Sequence, residues 1–179
     1  ILDEEEIKYR SILEITETQL MNNNERVNGG LLDNRMEDTD TVKPGNFGHI
    51  ELAKPVYHIG FKDIMNIVLK CICFHCSSII CDKSHEDFKK YININNKTKR
   101  LAKIKQLCTK SIHCYVCQLS QPMYNIDIDE ISISFGINRL EKFNLSAEQV
   151  KNIFLHVSET DSKILGFDTK YNKLSSLII

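Results

Sequence analysis

Apolar side chains recur at three-to-four spacing in three stretches of the chain, and each stretch predicts an amphipathic helix. Between Gly60 and Lys70 the face is Phe61, Ile64, Ile67 and Val68, with Cys71 prolonging it. Between Lys97 and Cys108 it is Leu101, Ile104, Leu107 and Cys108, with Lys and Arg on the other side. Ser146-Ala147-Glu148-Gln149 is a capping-box sequence, and Val150, Ile153, Phe154 and Val157 form the inward face of the helix it opens. Gly166 stops the segment that follows. Two shorter helices are signalled by their first residues: Ser84 caps one to about Tyr91, and Asp3 with Glu6 opens one over Glu4 to Leu13.

Elsewhere the period is two, or there is none. Ile126, Ile128, Ile131 and Ile133 alternate with Asp or Ser up to Phe135, which indicates strand structure. Ser11 to Leu20, rich in Ile and Thr, is open to helix or strand. Asn22 to Gly30 reads as a turn region, because its Asn and Gly residues tolerate positive φ. Leu31 to Pro55 shows little periodicity, and Pro44-Gly45 and Gly48 mark irregular backbone. The pattern as a whole gives an α+β chain, an irregular mixed domain with loops around a metal.

The metal enters through the cysteines. Cys71 to Cys81 is short, β-branched and cysteine-bearing, the habit of a zinc-ribbon strand and knuckle. Two C-x-x-C pairs stand in the chain, Cys73-Phe74-His75-Cys76 and Cys114-Tyr115-Val116-Cys117. A two-residue gap turns both thiolates of a knuckle toward one ion, and two knuckles make a closed tetrahedral site of the structural kind. Soft thiolates favour zinc over magnesium or calcium. The 37 residues between the pairs exceed a ribbon loop, so a helical excursion from Ser84 to Cys108 is expected, pinned at its base. Cys71, Cys81 and Cys108 fall on apolar-patterned positions and read as buried thiols. His75 lies inside one knuckle and His113 beside the other, but four cysteines complete the set without them. His49, His58, His85 and His156 are scattered and read as core or surface residues.

Composition narrows the class. With 179 residues and 42% hydrophobic positions the chain can bury a sizeable core. Its seven cysteines are odd in number and clustered, and its opening is acidic rather than basic. Both features argue for a reducing compartment and against an exported disulfide framework. No apolar run approaches the roughly 18 residues that span a bilayer. The net charge of −1 hides a basic stretch, since residues 85 to 110 hold eight Lys and Arg against two acids.

Several strings resemble one family. Gly29-Gly30-Leu31-Leu32-Asp33-Asn34-Arg35-Met36 resembles the G-G-L/M-x-D-P-R-L/M segment near the start of the largest subunit of eukaryotic RNA polymerases, with Asn34 in place of the usual Pro. The run from Phe47 to Phe61 is similar, almost letter for letter, to that family's F-G-H-I-x-L-A-K-P-V-F/Y-H-I/V-G-F. Cys71-Ile72-Cys73-Phe74-His75-Cys76 resembles C-V-C-x-H-C, whose second and third cysteines bind zinc in the family. Cys117 with Gln121-Pro122 resembles C-G-x-x-Q-P, and Cys114 stands for a ligand that is normally further upstream. Leu145-Ser146-Ala147-Glu148-Gln149-Val150, Ile153-Phe154 and Leu165-Gly166-Phe167 continue the likeness.

The resemblance implies the polymerase clamp, a region that closes over template and downstream DNA. Residues 1–70 would be clamp core with a degenerate first zinc loop, 71–120 a zinc-binding clamp head, and 121–179 a return to the core. Lys43-Pro44-Gly45-Asn46 stands where the family carries C-P-G-H, so one zinc is expected, on Cys73, Cys76, Cys114 and Cys117. No catalytic residue is expected. The N-A-D-F-D-G-D loop that holds the parent enzyme's magnesium does not occur, and Asp127-Ile128-Asp129-Glu130 reads as a solvated turn. DNA would be held by phosphate contacts, with Arg35, Lys97, Lys99, Arg100, Lys103 and Lys105 as candidates. For the lysines the plain alternative is a solvated helix face.

Partners would then be the other polymerase subunits, the second-largest above all, and DNA, with no membrane and no small-molecule substrate. The location would be intracellular: the nucleus if cellular, the host cytoplasm or virion if viral. The rival expectation is a free-standing, truncated zinc-binding interaction module, viral in one version, that engages polymerase partners or DNA without catalysis.

Overall fold

A computed structural model describes residues 4–37, 47–127, 130–136, 141–167 and 173–178. Packing divides the chain between Lys54 and Pro55 into two compact units. The expectations placed on Asp3 and on Lys43-Pro44-Gly45-Asn46 lie outside the described residues.

In the first unit, α1 spans Glu4–Arg10, with acids in its first turn and bases in its last. Lys8 pairs with Glu4 and with Glu51, and Arg10 with Glu6. The helix stops at Arg10 rather than Leu13, because the following backbone finds better partners across the unit. Ile12 and Ile15 donate to the carbonyls of Phe47 and His49, and His49 donates to Leu13. The ambiguous stretch after α1 is therefore extended at its start, with a parallel bridge between Glu14 and His49. Strands β1 (Met21–Asn22) and β2 (Glu25–Arg26) form a two-residue hairpin. Its turn residues, Asn23 and Asn24, both have positive φ, the primed-turn geometry that asparagine tolerates. Beyond it the buried Asp33 carboxylate gathers the Gly29 and Arg35 amides and the Arg35 guanidinium. These donors, the guanidinium first, hold its pKa well below the usual carboxylate range.

The second unit holds nearly all the buried apolar side chains. A 3-10 turn at Ile59–Phe61 leads into α2 (Lys62–Leu69), which buries Met65, Val68 and Leu69. Helix α3 (Glu86–Ile92) is capped by His85, not Ser84. The Ser84 amide and hydroxyl are both already committed to Asp82 Oδ1, so His85 Nδ1 takes the Asp87 amide instead. Helix α4 (Lys97–Cys108) is capped by Asn96 and buries Leu101, Ile104 and Cys108, as its periodicity predicts.

The Ile-rich alternation is not one strand. It splits into β3 (Met123–Ile126) and β4 (Ile131–Ser134), and beyond the strand ends the Asp127 amide donates to the Glu130 carbonyl. Ile128 and Asp129 of the acidic stretch lie outside the described residues. Strand β5 (Lys142–Leu145) completes an antiparallel β3-β4-β5 sheet. Ile131, Ser132 and Ile133 are all buried, as the central position of β4 requires. Helix α5 (Ala147–Leu155) carries both bonds of the Ser146–Gln149 capping box. Helix α6 (Glu159–Leu165) ends at Gly166 with φ +97, a left-handed cap where a side chain would be strained.

Helical segments do fill the interval between the cysteine pairs, but they do not form a free arm. Helix α4 packs against α3, α2 and α6, so its apolar face is absorbed into the core of the unit.

Candidate metal centre

The first C-x-x-C follows α2 directly. Ile72 and Ile79 pair across a narrow hairpin, Cys73 donates to the Ser78 carbonyl, and Ser77 donates back to Cys73 with φ +56. The second pair repeats this backbone. His113 pairs with Ser120, Cys114 donates to Leu119, and Gln118 donates back to Cys114 with φ +60. A left-handed residue after the second cysteine is what folds each hairpin tightly enough to aim two sulfurs the same way. Neither Ser77 nor Gln118 is a glycine, so composition gives no hint of the turn.

The two knuckles converge. All four sulfurs, from Cys73, Cys76, Cys114 and Cys117, lie within 4.8 Å of one another, and they are the metal-capable cluster among the described residues. Cys73 and Cys117 approach to 3.5 Å, and Cys76 and Cys114 to 3.8 Å. Four thiolates at about 2.3 Å from a tetrahedral ion are separated by about 3.8 Å, so the donor set fits such an ion in number, type and spacing. Cys73 and Cys114 are buried, while Cys76 and Cys117 are half-buried.

Sulfurs this close resist joint ionisation unless a cation is present. Burial pushes the Cys73 thiol up to about 12. Cys76 is also raised by burial, but the Ser78 amide and hydroxyl, with Cys73 and Cys117, outweigh this and bring it to about 7. Donors are present for the thiolate form as well: Cys73 accepts from the His75 amide at 3.3 Å and from Gln121 Nε2 at 3.2 Å. Gln121 is the residue that reading the cysteines alone passes over; the Gln121-Pro122 string was its only signal.

Two features anchor the centre to the rest of the unit. The buried Asp161 carboxylate of α6 accepts from the Ile79 amide and from Lys83 Nζ, which ties α6 to the first knuckle. The three remaining cysteines are buried near one another, and Cys108, with burial, raises the Cys81 thiol further.

The basic candidates divide by what they touch. Arg100 donates to the carbonyls of Ile164, Ile94 and Lys163, so its guanidinium is engaged in capping α6. Arg35 is held by Asp33. Lys97, Lys99 and Lys103 are exposed on α4 and Lys105 is half-buried, with Lys103 Nζ 6.0 Å from the centre of the Tyr91 ring. Lys70, at the end of α2, extends this patch: its pKa is lowered by burial and by the charge of Lys105. Among the described residues, no helix is long and apolar enough to cross a membrane.

Comparison with known proteins places this geometry. The chain is 28% identical over 211 aligned residues to DNA-directed RNA polymerase II subunit RPB1 of Euplotoides octocarinatus, an alignment covering all of this chain and 44% of that protein. It is also 28% identical over 211 residues to DNA-directed RNA polymerase subunit 1 of Acanthamoeba polyphaga mimivirus, covering 97% of this chain and 14% of the viral protein. The chain thus spans less than half the length of either relative. The family model for RNA polymerase Rpb1, domain 1, matches residues 1–179, and the chain belongs to that family.

Proposed function

We propose that this chain is the amino-terminal clamp region of the largest subunit of a DNA-directed RNA polymerase, built around one structural zinc ion. The observation that carries the reading is the convergence of two C-x-x-C knuckles on one point, in a chain matched from end to end by the Rpb1 domain 1 family. Cys73, Cys76, Cys114 and Cys117 would hold the ion, which supplies folding energy and no chemistry of its own.

The chain's own residues do the rest. Residues 71–120 form the zinc-binding head, and residues 1–70 and 121–179 supply clamp core. Leu101, Ile104 and Cys108 fix α4 in the unit, so Lys97, Lys99, Lys103 and Lys105 stand at set positions on its outer side. From there they contact DNA phosphates without reading base sequence. Arg100 supports this face by bracing the end of α6, and Arg35, in the first unit, would meet DNA from a position fixed by Asp33. Nucleotidyl transfer belongs to other parts of the polymerase, and the proposed partners are its other subunits, including the second-largest, and DNA. The proposed setting is intracellular: the nucleus for a cellular polymerase, the host cytoplasm or virion for a viral one.

Two measurements test this. Elemental analysis of the purified chain should give one zinc per polypeptide, and a strong chelator should cost residues 112–121 their amide protection first. In the assembled polymerase, replacing Lys99, Lys103 and Lys105 by Ala should weaken DNA binding equally across sequences and flatten its salt dependence by about one logarithmic unit of slope per lost phosphate contact. A metal-free chain with full order, or an unchanged salt slope, would reject the corresponding half of the proposal.

A further inference from the structure

The two knuckles are related by a constant offset. Each residue of the second stands 41 positions after its counterpart in the first: Cys73 with Cys114, Ser77 with Gln118, Ile80 with Gln121. The bonds that join the knuckles follow the same relation. The Tyr115 amide, just after the first cysteine of its knuckle, donates to the Ile80 carbonyl at 2.9 Å. Its counterpart, the Phe74 amide, donates at 3.0 Å to the partner position on the other side, but there the acceptor is the side-chain Oε1 of Gln121. The backbone amide of Gln121 donates to the Ile112 carbonyl just as that of Ile80 does to the Cys71 carbonyl, but the Gln121 side chain occupies the place that a main-chain carbonyl fills in the other half. Its Nε2 then bridges Cys73 Sγ at 3.2 Å and the Leu119 carbonyl at 3.0 Å.

We infer that Gln121 is a positioning residue of the metal centre, a clasp whose Oε1 fixes the first knuckle and whose N–H offsets charge on the Cys73 thiolate. This rests on the metal reading above. Four thiolates around a divalent cation leave two negative charges in excess, and N–H donors to sulfur are the fold's means of spreading them. Cys73 is the more buried member of its pair, and its sulfur accepts from both the His75 amide and Gln121 Nε2. Tyr124 of β3 adds a buried hydroxyl with no hydrogen-bond partner among the described residues.

The two roles of the side chain separate by substitution. Gln121→Ala removes both. Gln121→Glu keeps an acceptor for Phe74 but puts a carboxylate oxygen where the N–H faced Cys73. In the full chain loaded with zinc, release to a chromophoric chelator should be about 10- to 100-fold faster for Gln121→Ala than for the parent, and faster again for Gln121→Glu. The sulfur-to-metal charge-transfer band of the cobalt(II) form should shift in both. Amide exchange provides a readout independent of the ion: Phe74 should lose protection in Gln121→Ala and keep it in Gln121→Glu, while Tyr115 stays protected in both. Ile112→Ala, an exposed side chain just ahead of the same knuckle, should leave release and spectrum unchanged. Parent-like release and spectrum in Gln121→Glu, or a Phe74 amide still protected in Gln121→Ala, would overturn the clasp. A parent chain that takes up neither zinc nor cobalt would overturn the metal reading itself.

Discussion

The two cysteine knuckles share a backbone and almost nothing else. In the first, Ile72 and Ile79 are fully inaccessible, Ile80 is buried, and the Ile79 amide is tethered to Asp161. In the second, Ile112 is 74% exposed and Val116 58% exposed, with Tyr115 and Leu119 also on the surface. The hairpin geometry therefore does not depend on burial. It depends on two cysteines, a left-handed residue after the second, and the narrow pairing between flanking residues. Burial decides instead how each knuckle is held: the first by the core of the unit, the second by whatever joins it to the first.

That contrast can be broken at several points. Cys73→Ser and Cys117→Ser should each abolish zinc uptake and cost roughly 5 kcal/mol or more. Amide exchange should then show residues 112–121 losing protection while 72–80 largely keep theirs; equal loss in both would mean the first knuckle has no independent footing. Ile79→Ala should cost about 2–5 kcal/mol in urea unfolding, as a fully buried large-to-small change does. An exposed isoleucine flanking the outer knuckle offers a sharper comparison, for Ile112→Ala should stay within about 0.5 kcal/mol. Asp161→Asn should cost about 1–3 kcal/mol by weakening the bonds to Ile79 and Lys83, an effect visible in exchange at the first knuckle and not at the second. The smallest effect is a test of sameness: Ser77→Gly and Gln118→Gly should each stabilise by up to about 1 kcal/mol, because glycine relieves the positive φ in both hairpins. Opposite signs would show that the two backbones are not equivalent.

Much of this was legible in the sequence, and the reasons are physical. Periodicity located α4 and its buried Leu101, Ile104 and Cys108, and the Ser146–Gln149 box opened α5 where the sequence placed it. The C-x-x-C spacing picked out the four cysteines that the fold brings together. The failures came where long-range partners decide. The stop of α1 at Arg10 is set by Phe47 and His49, more than thirty residues away, and no local propensity carries that information. The cap of α3 moved to His85 because Asp82 competes for Ser84. The segment of α4 reads as an excursion because its apolar stripe does not say what it packs on, and a guanidinium such as that of Arg100 looks the same in sequence whether it faces phosphates or helix-end carbonyls. Gln121 shows in the sequence only as part of the Gln121-Pro122 string, because clasping is a relation between two hairpins, not a property of either.

Tyr57 bridges Ile178, and its hydroxyl reaches the Leu145 carbonyl. The opening of the second unit is thus tied to Ile178 by a bridge and to the last residue of β5 by the tyrosine hydroxyl. A pull on the chain at Tyr57 or at Ile178 is therefore met first by that short bridge, before the sheet or the helices are loaded.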